Sequence, residues 1–332
     1  MHALKALFAM LAVALGASGA TAEPLLIRNS YVVPVSDSQP LLVEKKDLAR
    51  HWGKSYIMEA ARYQGTPPMI TAMANGELEI ANLAYSTLGI AIENAGISDL
   101  RVICDEFRDG VPGYFSNQFF VRKDSDIKRI EDLKGRVLAT NAIGAGVDIA
   151  MKAGLKKHGL IDKRDFTVIE APFPTMPAML NDRKADMVTA VMPFALNPQL
   201  NEIGFALYDQ TEGMGPTQFL VWTVRQSFID KHRAALIDYL EDMLRIKRWY
   251  LDPKNHDEAV KIASKLLKIP PERLGWLYTK KDYYRDPSML PDLAALQRNV
   301  DTVADMGFIK SRMDVKKHSD LSLIEEAAKR LQ

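Results

Sequence analysis

The sequence has 332 residues, 47% of them hydrophobic, and its 43 basic and 42 acidic side chains leave a formal net charge of +1. This balance excludes proteins that bind nucleic acid or anionic membranes through a strongly basic face. Cys104 is the single cysteine, so an intramolecular disulfide is excluded and apolar cores must stabilise the chain. The length suggests about two domains.

Residues 1–22 are typical of a cleaved signal peptide. Lys5 gives a positive start, an apolar run follows from Ala6 to Gly16, and Ala20-Thr21-Ala22 is the small-x-small pattern that signal peptidase reads. The apolar run is shorter than the ~20 residues needed to span a bilayer. We therefore expect a periplasmic, monomeric mature protein that begins at Glu23, without a membrane or lipid anchor.

After Pro24, short apolar runs alternate with segments of helical periodicity. Strands are predicted at 25–28, 57–62 and 78–83, and helices at 39–52, 66–76 and 86–96. Thr66, followed by two prolines, and Ser86 or Thr87 are the expected N-caps. Strands that alternate with helices of this length predict a mainly parallel sheet covered on both faces.

The same alternation recurs in the middle of the chain, which predicts a second, similar α/β lobe. Its strands are expected at 136–140, 166–170 and 186–191, and its helices at 146–158 and 175–180. A strand at 219–224 follows, and then helices at 235–249 and 290–306. Segments around 113–118 and 213–218 separate the middle lobe from the rest.

Several segments carry a family resemblance: Tyr63 to Pro68 with Ala72 to Ala81, Phe120 to Ser125 with Ile130 to Gly135, Thr140 to Val147, Lys184 to Asp186, and Met192 to Phe194. In this order they are similar to the periplasmic binding proteins of ABC importers for sulfonates, taurine and nitrate. The likeness covers about residues 24 to 250. Many members have Trp-Asp-Pro-Tyr where this chain has Met192-Pro193-Phe194, which argues against an ordinary sulfonate or nitrate specificity.

The resemblance implies an α/β, two-lobed periplasmic binding protein fold of type II, with the ligand in the cleft between the lobes. Residues 23–116 and 218–332 would form a discontinuous lobe 1, and 117–217 would form lobe 2. It also implies an ABC permease of the inner membrane as the partner.

A two-lobed binder places its ligand where the carboxyl ends of strands from both sheets face each other. Hydroxyls, amides, glycines and aromatic rings are mixed in these loops, and the mixture suits a small sulfonate or carboxylate with an apolar or aromatic part. The predicted ligand-binding residues are Tyr31, Ser36, Gln64, Thr66, Tyr85, Ser86, Thr87, Asn141, Gly144, Ala145, Gly146, Phe173, Met192 and Phe194.

The segment from Asn141 to Gly146 is the sharpest candidate among them. Its glycines allow close approach of a ligand, and the following helix offers unpaired N–H groups and a positive dipole end to an anion. For the aromatic residues a place in the core is an equally good interpretation, and capping alone would explain Ser86 and Thr87. Asp148, in the first helical turn, either suits the dipole or holds an ammonium group, and its role stays open with that of Asp37.

Patterns typical of catalysis are missing: no Gly-x-Ser-x-Gly turn, phosphate loop or histidine pair at metal-ligand spacing is present. We therefore expect no enzymatic activity, no cofactor and no metal. Asp105-Glu106 is expected in a solvated turn, and Arg245, Lys247 and Arg248 on a solvated helix face.

Two alternatives remain beside the binding protein. One is a periplasmic lyase or hydrolase on the same scaffold, for which Asp37, Asp148 and Glu170 are the candidate acids or bases. The other is a ligand-loaded partner of a membrane sensor.

Overall fold

The computed structural model describes residues 23–331, so the predicted signal peptide lies outside the described residues. This part of the chain contains ten strands: β1 Leu25–Tyr31, β2 Tyr56–Arg62, β3 Ile80–Ala84, β4 Leu100–Asp109, β5 Gln118–Arg122, β6 Val137–Thr140, β7 Thr167–Glu170, β8 Met187–Ala190, β9 Gly204–Asp209 and β10 Thr217–Arg225.

Eleven α-helices lie between and after these strands: α1 Gln39–Glu44, α2 Pro67–Ala74, α3 Tyr85–Gly89, α4 Gly146–Lys157, α5 Met176–Asn181, α6 Pro198–Ile203, α7 Thr211–Met214, α8 Gln226–Leu251, α9 His256–Leu267, α10 Leu293–Asp305 and α11 Ser322–Lys329. One π-helical turn, Ile90–Asn94, extends α3. Within residues 23–331 no helix has the length and hydropathy needed to cross a bilayer.

The strands form two five-stranded sheets with the same layout. The first has the order β2-β1-β3-β10-β4, and the second has the order β7-β6-β8-β5-β9. Helices α2, α8 and α10 pack on the first sheet, and α4, α5 and α6 pack on the second. We call each sheet with its helices a lobe, lobe 1 for the first sheet and lobe 2 for the second. The predicted two-lobed α/β fold is confirmed.

Each sheet is mainly parallel because four of its five strands share one direction. The exception in lobe 1 is β10, which is antiparallel to both β3 and β4. In lobe 2 it is β5, which is antiparallel to both β8 and β9. These two strands are the first that the chain enters after passing from one sheet to the other. The carboxyl ends of the remaining strands therefore face the space between the lobes.

The helix predicted at 39–52 is shorter than expected, because the carboxylate of Asp242 binds the backbone of its predicted last turn. Helix α1 stops at Glu44, and only a short 3₁₀ turn follows before the chain becomes irregular. The buried carboxylate of Asp242, on α8, accepts the backbone N–H groups of Arg50 and His51 at 2.8 and 2.9 Å. These bonds satisfy the backbone outside a helix, so the helical periodicity up to residue 52 is overridden.

Strands β4, β5 and β9 were not predicted, and β4 contradicts two expectations. Asp105 and Glu106 lie in the middle of β4, fully buried, and not in a solvated turn. Lys247 is 4% exposed, and its ammonium group donates to the backbone carbonyl of Glu106 at 2.6 Å. The prediction of a solvated face therefore fails at Lys247. The Glu106 carboxylate is further held by Ser38, at 2.6 Å, and Trp222, also at 2.6 Å.

The expected N-caps of α3 are also wrong. The helix begins at Tyr85, so the cap position falls on Ala84, which has no side-chain acceptor. The Thr87 hydroxyl donates to the carbonyl of Ala84 at 3.0 Å, inside its own helix. The Ser86 hydroxyl leaves the helix and donates to the carbonyl of Gly144, in lobe 2, at 2.9 Å. Thr66 does occupy the N-cap position of α2, but its side chain makes no capping bond.

Candidate functional site

An inner cavity lies between the lobes, at the carboxyl ends of their strands. Its volume is about 50 Å³ for the centre of a water-sized sphere, enough for about three to five waters or the head group of a small ligand. The walls are mostly apolar, and Phe107 and Phe219 from lobe 1 face Val147 and Phe173 from lobe 2. The polar groups that reach this cavity belong to Ser36, Asp37, Thr66, Asn141 and Tyr283.

Half of the predicted ligand-binding residues line this cavity: Ser36, Thr66, Asn141, Ala145, Gly146, Phe173 and Met192. Gln64 and Phe194 line a second, outer chamber, to which Phe173 also contributes. Tyr31, Tyr85, Ser86, Thr87 and Gly144 line neither space. The structure therefore brings half of the predicted residues together around the inner cavity, whereas the hydroxyl groups of Tyr31, Tyr85, Ser86 and Thr87 lie outside both spaces.

Two of the displaced hydroxyls hold the lobes against each other. Tyr85 donates to the carbonyl of Gly146 at 2.7 Å, and Ser86 donates to that of Gly144. On the opposite side, the Ser36 hydroxyl donates to the carbonyl of Met192 at 3.1 Å. All three bonds join lobe 1 to lobe 2. The polar side chains of Tyr85, Ser86 and Ser36 at these strand ends therefore form contacts between the closed lobes.

The two glycines of the predicted loop differ in what they require. Gly144 has a φ of +85°, a conformation that favours glycine, but a Cβ there would have its nearest neighbour 3.8 Å away. Gly146 has ordinary dihedrals, yet a Cβ there would lie 2.9 Å from that of Ala84 in lobe 1. Gly144 is thus needed for the turn, and Gly146 for the close approach of the lobes.

The amino end of α4 keeps free donors at the cavity wall. The N–H groups of Ile143 and Gly144 are already bound, by Glu170 at 2.6 Å and by Asp148 at 2.8 Å. Groups in the first turn of a helix have no acceptor within the helix, and no capping side chain accepts from this one. Because Gly146 and Val147 line the cavity, their N–H groups and the positive end of α4 are the donors available to a ligand.

Asp148 has a structural role. It is fully buried and pairs with the ammonium group of Lys152 at 2.9 Å, which in turn lies 3.1 Å from Asp162. Burial raises the pKa of Asp148, against the opposing effect of Lys152 and the Gly144 N–H. The carboxylate holds the loop before α4 and does not line the cavity.

Two buried polar atoms at the cavity have no partner among the described residues. They are the Thr66 hydroxyl and the Asn141 side-chain carbonyl, on residues only 4% and 3% exposed. The Asn141 amide group is assigned by its bond to the carbonyl of Gln64 at 3.0 Å, which leaves the Asn141 Oδ1 atom free. An unsatisfied buried polar group costs about 1–3 kcal/mol, so both atoms favour a site that takes a polar ligand.

Asp37 and Tyr283 complete the polar surface of the cavity. Asp37 accepts the N–H groups of Val32 and Val33 at 2.6 and 3.0 Å. Its burial, together with the neighbouring charge of Glu106, raises the pKa of the Asp37 carboxyl above its ordinary value. A carboxyl shifted in this direction takes up a proton more readily and can then donate a hydrogen bond.

Tyr283 was missed because it lies in an irregular segment, far along the chain from the predicted strands. Its ring stacks on Phe107 with centroids 4.2 Å apart. Its hydroxyl donates to the Asn117 side chain at 2.6 Å and accepts the N–H of Met192 at 3.0 Å. Tyr283 therefore connects the cavity to the point where the chain first enters lobe 2. No periodicity or turn signal in the sequence marks it.

The model of the NMT1-like family matches residues 31–264, which is more than half of the chain. The chain belongs to the NMT1-like family. A search of curated proteins found no match.

Solved structures show the same fold at low identity. The periplasmic aliphatic sulphonate-binding protein SsuA from Escherichia coli is 16% identical, with a TM-score of 0.68 over 91% of this chain and 99% of that one. The periplasmic nitrate-binding protein NrtA from Synechocystis PCC 6803 is 14% identical, with a TM-score of 0.71 over 93% and 90%. The desulfurization enzyme DSZB is 12% identical, with a TM-score of 0.66 over 93% and 100%. The predicted resemblance is thus confirmed for the fold, which this NMT1-like protein shares with binding proteins and with an enzyme.

Cys104 of this NMT1-like protein is not placed for chemistry in the cleft. It lies fully buried in β4 and does not line the inner cavity. Burial raises the pKa of the Cys104 thiol well above its ordinary value, so the thiolate form is disfavoured.

One cluster with metal-ligand atoms, His51, Asp238 and Glu241, lies outside the cleft. Its carboxylates are already paired with arginines, Glu241 with Arg245 at 2.7 Å and Asp238 with Arg330 at 2.8 Å. These two cations oppose a metal ion at this position.

Proposed function

We propose that this chain is exported to the periplasm and is the solute-binding component of an ABC importer. It captures a small organic anion by closure of the two lobes and delivers it to a permease in the inner membrane. The observation that carries the proposal is the inner cavity between the lobes, where the unpaired Thr66 hydroxyl of lobe 1 faces the same space as the amino end of α4 in lobe 2. A ligand bound by both would hold the lobes together.

The amino end of α4 supports an anionic head group. The free N–H groups of Gly146 and Val147, with the positive dipole end of a twelve-residue helix, stabilise a negative charge without a cationic side chain. The Thr66 hydroxyl adds a donor. Asp37, with its raised pKa, becomes a further donor when an anion next to it favours the protonated form.

The fold supports the transport role. Strand β10 follows the strands of lobe 2 in the sequence but belongs to the sheet of lobe 1. The chain therefore passes between the sheets twice, after β4 and before β10. We place the lobe boundaries at 116/117 and at 217/218, the latter one residue into β10, and propose that the two chain passages beside them are the hinge. SsuA and NrtA, which share the fold, are by name periplasmic binding proteins for sulphonate and nitrate.

A thermal-shift screen of small aliphatic and aromatic acids against the mature protein tests the proposal. A ligand at about a hundred times its Kd should raise the free energy of unfolding by about 2.7 kcal/mol. The ligand is then recovered from the complex and its mass is measured. An unchanged mass supports a binding protein, whereas no stabilising acid, or a converted ligand, contradicts the proposal.

The enzyme alternative rests on the fold shared with DSZB. Of the three acids that could serve it, only Asp37 lines the inner cavity. Asp148 is paired with Lys152, and Glu170 accepts the N–H of Ile143. The mass of the recovered ligand separates this alternative from transport, and neighbouring permease or receptor genes separate transport from a sensor role.

A further inference from the structure

A second chamber opens beside the inner cavity, toward the outer strands β2 and β7. Its volume, about 280 Å³ for the centre of a water-sized sphere, is larger than that of the inner cavity. The two spaces share Val32, Val33 and Phe173 as wall residues. The two spaces are therefore adjacent, and a ligand with its head group in the inner cavity would pass Phe173 to reach the outer chamber.

Aromatic rings form part of the wall of the outer chamber. The rings of Phe173 and Phe194 are stacked at 19° with centroids 5.9 Å apart, both from lobe 2. Tyr63 of lobe 1 also lines the chamber, and Pro172 and Pro174 lie at its exposed rim. Phe173 is buried, whereas Phe194 and Tyr63 are half-exposed, and half-exposed aromatic rings favour contact with a planar ring.

One cation lines the chamber, the guanidinium of Arg62 at the end of β2. Arg62 is exposed, and no carboxylate of residues 23–331 forms an ion pair with it. Arg28 on the neighbouring strand shows the contrast, because its guanidinium is paired with Glu79. A planar guanidinium binds carboxylate or sulfonate groups with two parallel hydrogen bonds.

The distance between Arg62 in the outer chamber and Thr66 in the inner cavity is short. Arg62 and Thr66 are four residues apart, so their Cα atoms are separated by no more than about 14 Å. An arginine side chain and a ring with polar groups at opposite ends together cover such a distance.

We infer that the outer chamber is a second subsite, and that the ligand is a single-ring aromatic acid with a second anionic group at the far end of its ring. The inner group binds the Thr66 hydroxyl and the N–H groups at the amino end of α4. The ring lies against Phe194, and the outer group binds Arg62. This inference rests on the proposed function and specifies its ligand class.

Calorimetric titration with benzene-1,4-dicarboxylate and with benzoate tests the inference. The wild-type mature protein should bind the dicarboxylate about ten-fold more tightly, because only this acid reaches Arg62. In Arg62→Gln the preference should disappear, while the affinity for benzoate stays. Arg50→Gln, which replaces another exposed arginine outside both spaces, is the matched control and should keep the preference.

The aromatic wall is tested with Phe194→Leu, which should weaken binding of both acids several-fold. A wild type without the preference, or an Arg62→Gln variant that retains it, overturns the inference. If only short aliphatic acids stabilise the protein, the second subsite is wrong and the proposed function stands. If no acid of either kind binds, both fail.

Discussion

Gln64 and Asn141 form a reciprocal pair of hydrogen bonds across the cleft. The Gln64 side chain donates to the backbone carbonyl of Asn141 at 2.9 Å, and the Asn141 side chain donates to that of Gln64 at 3.0 Å. One residue belongs to lobe 1 and the other to lobe 2, so the pair can exist only when the lobes are closed. The bonds also orient the Asn141 carbonyl oxygen that remains free at the cavity.

Gly65, which lies next to this pair, allows a steric test of lobe closure. A Cβ at Gly65 would lie 2.7 Å from that of Ala142 and 2.9 Å from the Asn141 amide nitrogen, both in lobe 2. Gly65→Ala should therefore hinder closure and weaken ligand binding by about ten-fold or more, with little loss of stability. Calorimetric titration measures the affinity. Gly275→Ala is the control, since a Cβ there has no neighbour within 4 Å; equal affinities in the two variants would refute closure at this contact.

The unpaired hydroxyl of Thr66 predicts opposite effects on stability and on binding. Thr66→Val removes a buried group without a partner, so the free energy of unfolding should stay the same or rise. Ligand binding should weaken by about 0.5–1.5 kcal/mol through the loss of one hydrogen bond. Thr189, which is also buried with an unpaired hydroxyl but lines neither space, is the matched control. Thr189→Val should leave the affinity unchanged, and a Thr66→Val variant with normal affinity would remove Thr66 from the site.

The buried pair of Lys247 and Glu106 predicts a large effect on stability. Lys247→Met leaves the fully buried Glu106 carboxylate without its cation, which should lower the free energy of unfolding by about 3–5 kcal/mol. Lys261, exposed on α9, is the control, and Lys261→Met should change it by less than about 0.5 kcal/mol. Urea unfolding measures both variants, and equal midpoints would show that the pair is dispensable.

Asp109, at the end of β4 where the chain leaves lobe 1, predicts how stability depends on pH. Burial raises its pKa to about 7, against the opposing bonds from the Asn117 N–H and the Ser116 hydroxyl. Between about pH 4 and about pH 7 the folded protein therefore keeps a proton that the unfolded chain has lost. Stability should fall as the pH rises through this range and then level off. Asp105, with a pKa raised to about 6, adds a change of the same sign.

Urea unfolding of Asp109→Asn at several pH values checks this prediction. In this variant the free energy of unfolding should fall less steeply with pH, by up to about 1.4 kcal/mol per pH unit, because one titrating proton is removed. Glu202→Gln, at an exposed position of α6, should keep the wild-type slope. A wild-type stability that rises between about pH 4 and about pH 7 would contradict the assignment.

The alternation of strands and helices was sufficient to predict two similar α/β lobes, and the family resemblance added the cleft between them as the place of the site. The strands near residues 25, 57 and 80, the helix from Gly146, and the cavity positions of Ser36, Thr66 and Asn141 follow from local patterns that the packing does not override. The lobe boundaries at 116/117 and 217/218 and the ligand-binding roles stay predictions.

The remaining features depend on partners distant in the sequence. Asp105 and Glu106 are compatible with a buried strand only because groups such as Lys247 satisfy them from elsewhere in the chain. The early end of α1 depends on Asp242, almost two hundred residues away. Tyr283 reaches the cavity from an irregular segment, and Arg62 gains its significance from the chamber around it. Local periodicity contains no information about such contacts.

Small-angle X-ray scattering of the mature protein, with and without the acid that the screen identifies, tests the central claim most directly. Capture by closure requires the two lobes to move together on the two passages of the chain between the sheets. The account predicts a smaller radius of gyration at saturation for the wild type, and a smaller change for Gly65→Ala. An unchanged radius for the wild type at saturating ligand would contradict it.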